Sequence, residues 1–136
     1  MSVLLDTHVW VWWLTRGSGL PRMERKALDA EAERGGLFLA AISLWEAQML
    51  HAKGRLELPL AFSEWLERAA APRMLTLVPL EVGVILALDR LPPSFHGDPA
   101  DRLIVATARA HGLPLATHDA NIRRSRSVKL WKPRRG

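Results

Sequence analysis

Asp98-Pro-Ala-Asp101-Arg-Leu-Ile-Val-Ala-Thr-Ala-Arg-Ala-His-Gly112-Leu-Pro-Leu-Ala-Thr117-His-Asp119 reads in order as a capped helix, a stop, a buried strand and an acid. Asp98 suits the N-cap, Pro99 the first helical position and Asp101 the third. Leu103, Ile104, Ala106, Thr107 and Ala108 make the helix largely apolar, so it must be buried. Gly112 stops it, and Leu113 to Thr117 reads as a strand with His118 and Asp119 following at once. Two carboxylates therefore stand at the start of a helix that cannot easily move. Taken alone, the orphan N–H groups and the helix dipole account for them.

The same alternation holds upstream. Ser2 to Leu5 is a continuous apolar run ending at Asp6, which predicts a central strand covered on both faces. Asp6 then lies at the carboxyl end of that strand, where open α/β sheets place their ligands, or simply caps the next helix. Thr7 and His8 are read as the turn, and Val9 to Leu14 as the start of a helix whose tryptophans suit core or dimer packing better than base stacking. Gly17 to Leu20 is a turn, and Pro21 to Arg34 an amphipathic helix stopped by Gly35 and Gly36. Leu37 to Ala41 is a second buried strand. Ser43-Leu-Trp-Glu46 then has the form of a capping box, opening a helix to about Lys53 with Glu46 as its third residue. Leu60 to Ala71 and Glu81 to Asp89 read as helices, with a strand at Thr76 to Leu80 in which Pro79 favours an edge or terminal placement over a central one. Leu91 to Ser94 is a connector, Asn121 to Arg126 a basic polar stretch, and Val128 to Trp131 a candidate last strand. Strands alternating with helices give an α/β fold with a mainly parallel sheet.

Composition sets the bounds. The chain has 136 residues, nearly half of them apolar, enough for one domain with a sizeable core. The absence of cysteine removes disulfides, thiolate zinc sites and cysteine nucleophiles, and is consistent with the cytoplasm. The N-terminus lacks a basic region and Asp6 breaks its first apolar run, against a signal peptide. No apolar run approaches the ~20 residues of a membrane span. A formal charge of +5 suits a polyanionic partner, and the 15 arginines against 4 lysines suit phosphate, although codon bias yields the same excess.

Four of the six aspartates (Asp6, Asp98, Asp101 and Asp119) fall at predicted strand ends or at the helix start between them, and Glu46 sits likewise. In a parallel sheet those ends share one edge, so acids far apart in sequence can converge. Two carboxylates ~5 Å apart at an effective dielectric of ~20 repel by about 3 kcal/mol, so convergence calls for a cation or a proton. An all-oxygen pocket selects Mg²⁺ or Mn²⁺ over zinc, and such an ion activates water for phosphodiester hydrolysis. The missing phosphate-binding loop argues against nucleotide-driven chemistry, and the missing second Asp after Asp6 against an aspartyl-phosphate phosphatase. His8 and His118 flank the acids. They read as turn residues bonding backbone, or as members of a mixed His/Asp site.

Leu4-Leu-Asp6-Thr-His8, Ser43-Leu-Trp-Glu46, Asp98-Pro-Ala-Asp101-Arg102 and Thr117-His-Asp119 together resemble the acidic motifs of the PIN-domain ribonucleases, in particular the VapC-type toxins of bacterial toxin–antitoxin pairs. The similarity runs from about residue 2 to 131, with the motifs in family order. It implies a PIN-like three-layer fold, a single domain over residues 1–131, and Mg²⁺- or Mn²⁺-dependent cleavage of RNA; the basic residues 132–136 read by themselves as a frayed tail. The resemblance also implies a homodimer and inhibition by a cognate antitoxin. Carried over by position, Asp6, Glu46 and Asp101 match the principal acids and Asp119 the more variable fourth. Asp98 is assigned first to capping and second to metal support. Thr117 is a candidate for orienting water or phosphate, and Arg102 for pairing with a carboxylate. Arg123, Arg124 and Arg126 lead a basic run continued by Lys129, Lys132, Arg134 and Arg135, which steers RNA or is merely a solvated face. Two alternatives stand beside the ribonuclease: a PIN-like RNA-binding or regulatory module without catalysis, and a DNA-directed nuclease. The presence of every matched acid counts against the first, and the lack of a helical arch insertion against the second.

Overall fold

The structure, a computed structural model, describes residues 2–15, 19–95 and 97–133. Among the described residues, four strands and seven helices follow in order, with two helices between successive strands: β1 (Val3–Leu5), α1 (Thr7–Thr15), α2 (Arg22–Glu33), β2 (Leu37–Ala40), α3 (Ile42–Ala52), α4 (Phe62–Ala69), β3 (Thr76–Val78), α5 (Val82–Asp89), α6 (Pro99–His111), β4 (Leu115–Ala116) and α7 (Ala120–Ser125). The sheet order is β3-β2-β1-β4, and every pairing is parallel. Leu4 of β1 pairs with Phe38 on one side and Leu115 on the other, which makes β1 the central strand its unbroken apolar run predicts. β3 is the edge strand and stops at Val78, directly before Pro79.

Strand side chains alternate between faces, and the core divides accordingly. Val3, Leu5, Leu37, Leu39 and Ala116 pack with Trp10, Leu28 and Trp65 on one side. Leu4, Ala40, Val78 and Leu115 pack with Phe95, Ile104, Val105 and Ala108 on the other. Helices cover both faces, so the fold is a three-layer α/β sandwich.

Several local readings need correction. Thr7 and His8 form no turn: α1 starts directly at Thr7, because Asp6 caps it by accepting the Val9 N–H at 2.8 Å. Ser43-Leu-Trp-Glu46 is not a capping box. Ala41 already has helical backbone angles, so α3 starts at Ile42, and Ser43 lies inside the helix. Its hydroxyl accepts from Thr7 Oγ1 at 2.9 Å instead. Val128 to Trp131 makes a single parallel bridge, Leu115 to Leu130, rather than a strand. The tail expected at 132–136 lies, for residues 134–136, outside the described residues.

The order of strands positions the site. The chain steps from β1 outward to β2 and β3, then returns past β1 to β4, so the crevice at the carboxyl ends of β1 and β4 is a topological switch point. Asp6 follows β1 and Thr117 to Asp119 follow β4, one on each side of it.

Candidate metal centre

α6 begins as its sequence specifies. Asp98 Oδ1 accepts the Asp101 N–H at 2.8 Å, Pro99 is the first helical residue, and Gly112 ends the helix in left-handed conformation (φ 62°). Asp101 is thereby held in the first turn of α6. α3 leaves the end of β2 and carries Ser43 and Glu46 on one face, three residues apart and both buried. Carboxylate oxygens of Glu46, Asp98 and Asp101 lie within 4.8 Å of one another.

Asp6 and Asp119 stand outside that tightest group but within electrostatic reach of it. Burial, then the charges of Asp98, Asp119, Glu46 and Asp6, push the Asp101 carboxyl up to about 7. Burial likewise raises the Asp6 carboxyl, opposed by hydrogen bonds from the Thr117 hydroxyl and the Val9 N–H. Asp6 is only 6% exposed, so this is a desolvated carboxylate held by a helix start and a neighbouring strand. Thr117 is buried too, and its Oγ1 accepts the Asp119 N–H at 3.0 Å. Asp119 caps α7 by accepting the Ile122 N–H at 2.9 Å. The acids thus combine capping with convergence. For Asp98 the two roles coexist, since capping occupies one oxygen of a two-oxygen group.

A set of carboxylate oxygens with no sulfur donor fits a hard divalent ion. Without one, the raised carboxyls have a definite consequence for stability. Asp101 titrates near 7 in the folded chain against 3.8 ordinarily, so between these values the fold holds more protons than the unfolded chain. Stability is full at the acid end of that window and falls as pH rises through it. Metal-free protein is expected to melt at a higher temperature at pH 5 than at pH 8, and in Asp101→Asn that difference shrinks. Calorimetric scans at the two pH values check it; an equal difference in both proteins would refute the assignment.

Other residues fall differently from expectation. Arg102 donates to the Phe95 carbonyl at 3.3 Å rather than to a carboxylate, because α6 turns it back toward its own entry loop. Neither histidine is a backbone-bonding turn residue. His8 is exposed on α1, with its ring 5.8 Å from Trp12, and His118 Nε2 lies 2.8 Å from Glu24 Oε2 of α2. Arg123 and Arg124 are exposed on α7, donating to the Thr117 and Ala120 carbonyls, and Arg126 is its exposed C-cap. Sequence reasoning missed the Thr7–Ser43 bond that ties α1 to α3. The i, i+3 spacing of Ser43 and Glu46 is the signal that places both toward β1.

The model of the PIN-domain family matches residues 3–127. The chain belongs to the PIN-domain family. This PIN-domain chain is 37% identical over 134 residues to Ribonuclease VapC22 of Mycobacterium tuberculosis (strain ATCC 25618 / H37Rv), covering 96% of this chain and 98% of that one. Among solved structures it resembles VapBC2 from Rickettsia felis bound to a promoter DNA fragment, with a TM-score of 0.71 and 17% identity over 96% of this chain and 98% of that one. FitAB bound to an IR36 DNA fragment gives a TM-score of 0.70 and 21% identity over 96% and 94% respectively. At these identities the structural likeness concerns the fold.

Proposed function

We propose that this PIN-domain chain is a divalent-metal-dependent endoribonuclease, the toxin of a toxin–antitoxin pair acting in the cytoplasm. The observation that carries the reading is the convergence of Glu46, Asp98 and Asp101 oxygens within 4.8 Å at the switch point of a parallel sheet. The 37% identity to a protein named as a ribonuclease supports the substrate class.

Glu46, Asp98 and Asp101 would hold Mg²⁺ or Mn²⁺, with Asp6 and Asp119 adding negative charge behind them. When bound, such an ion neutralises a phosphodiester and activates water for in-line hydrolysis. Thr117 fixes the Asp6 carboxylate through its hydroxyl. Arg123, Arg124 and Arg126 start one residue-turn from Asp119 and draw the RNA backbone toward the pocket. Support for an antitoxin partner comes from the neighbours, which are the VapBC2 and FitAB complexes. Support for a homodimer comes from exposed Leu80, Val82, Ile85 and Leu86, an apolar surface at and before α5. No described helix is long and apolar enough to cross a membrane.

The test compares purified wild type and Asp6→Asn on single-stranded RNA with Mn²⁺, Mg²⁺ or EDTA. Asn caps a helix as well as Asp does, so the variant removes charge without removing the α1 start. Cleavage should require a divalent ion, stop in EDTA and fall by roughly 10- to 100-fold or more in Asp6→Asn. Wild type that binds RNA but cleaves none with any ion would transfer the chain to the binding-module reading. Preferential cleavage of DNA would transfer it to the DNA nucleases.

A further inference from the structure

We infer that His8, Trp12 and His118 form a ring platform that seats one nucleobase of the RNA strand beside the phosphodiester at the acids. The inference rests on the nuclease reading and adds a substrate-positioning surface to it. His8 and Trp12 are four residues apart on α1 and so share a face, with ring centroids 5.8 Å apart. His118 arrives from the end of β4, and its ring lies 6.0 Å from Trp12. Both histidines come from the segments that carry the acids: His8 follows Asp6 by two residues and His118 directly precedes Asp119.

The row is held in place. Glu24 of α2 fixes His118 at 2.8 Å. The backbone of Gly19 lies against the Trp12 indole so closely that a Cβ there would sit 2.5 Å from two of its ring atoms. Trp12 packs in part against the core beneath α1, but unlike its neighbours on that helix it is not fully enclosed. Trp10 and Trp13, the neighbours on α1, are buried and donate their indole N–H groups to the Ala69 carbonyl and to Asp29. Trp12 is only half-buried, and among the described residues its N–H has no acceptor. His8 and His118 are exposed.

A partly exposed indole flanked by two exposed imidazoles offers ring surface and edges, with an N–H donor, on the segments that carry Asp6 and Asp119. A nucleobase presents the complementary flat face. Such stacking tolerates any sequence, because every base has one.

The test uses single-stranded oligoribonucleotides carrying 2-aminopurine or an abasic nucleotide at successive positions, bound in Ca²⁺ to limit turnover. At one position binding should quench 2-aminopurine, and an abasic nucleotide there should weaken Kd by roughly 5- to 100-fold. In His8→Ala/His118→Ala, whose changes are on the surface, the quench should fade and the abasic penalty shrink. Gly19→Ala, which displaces the indole without removing a ring, should do the same. Equal affinity for intact and abasic strands at every position, or no RNA binding at all, would overturn the platform. So would a double variant that loses affinity for the cognate antitoxin but not for RNA, which would assign the rings to a protein partner. A chain that stacks the base yet cleaves nothing would keep the platform and lose the nuclease reading. One that cleaves intact and abasic strands alike would lose only the platform.

Discussion

Asp101→Asn is expected to lower RNA cleavage by at least roughly 100-fold, beyond the cost of losing a group that merely supports a metal ligand, while raising the melting temperature of the metal-free protein. The two effects have one cause. Asp101 faces Glu46 and Asp98 within 4.8 Å, with the charges of Asp6 and Asp119 behind them. At an effective dielectric of ~20 a single such contact repels by about 3 kcal/mol, which exposure of Asp98 reduces to about 1 kcal/mol. Asn keeps the shape, and the bond from its backbone N–H to Asp98 survives because the side chain has no part in it. Relief of ~1 kcal/mol corresponds to about 3–4 °C for a chain of this size. Activity assays and thermal melts at pH 8 check both signs. A variant that loses activity and stability together would show that Asp101 is an ordinary structural residue.

Trp10→Ala is expected to cost about 3–5 kcal/mol, a large share of the ~5–15 kcal/mol by which a domain is stable. Trp10 is fully buried, donates to the Ala69 carbonyl at 3.0 Å and packs its ring 5.1 Å from Trp65. Ala69 is the last residue of α4, so its carbonyl has no partner further along that helix. The substitution therefore opens a cavity and strands a buried acceptor together. It also loosens α1, whose start is the Asp6 cap. Urea unfolding measures the loss, and a Trp10/Trp65 double-mutant cycle should isolate a coupling of about 0.5–1.5 kcal/mol for the ring pair. A cost below ~1 kcal/mol would mean that the site collapses around the gap and that α1 and α4 are not joined through these rings.

Much of this molecule is written locally. Val3-Leu4-Leu5 is apolar without alternation because β1 is covered on both faces, and that run alone marks the central strand. Asp98-Pro99 and Gly112 bound α6 because a cap, a fixed φ and a left-handed stop are properties of single residues. The acids at strand ends were legible for the same reason, and parallel pairing turns that common position into one shared edge.

Other features depend on which neighbour a group meets. Ser43 has the spacing of a capping box, yet Ala41 begins the helix early and Thr7, 36 residues away, supplies its partner. His118 could bond any nearby carbonyl, and only the packing of α2 against the end of β4 brings it to Glu24. The sequence by itself determined the four paired strands, the bounds of α6 and the acids that could meet, because those follow from short-range sterics and unbroken apolar runs. The tertiary structure alone decided that Asp98 joins Glu46 and Asp101 while Asp6 and Asp119 stand behind, because distances between side chains on different elements are set by the packing of whole helices on the sheet.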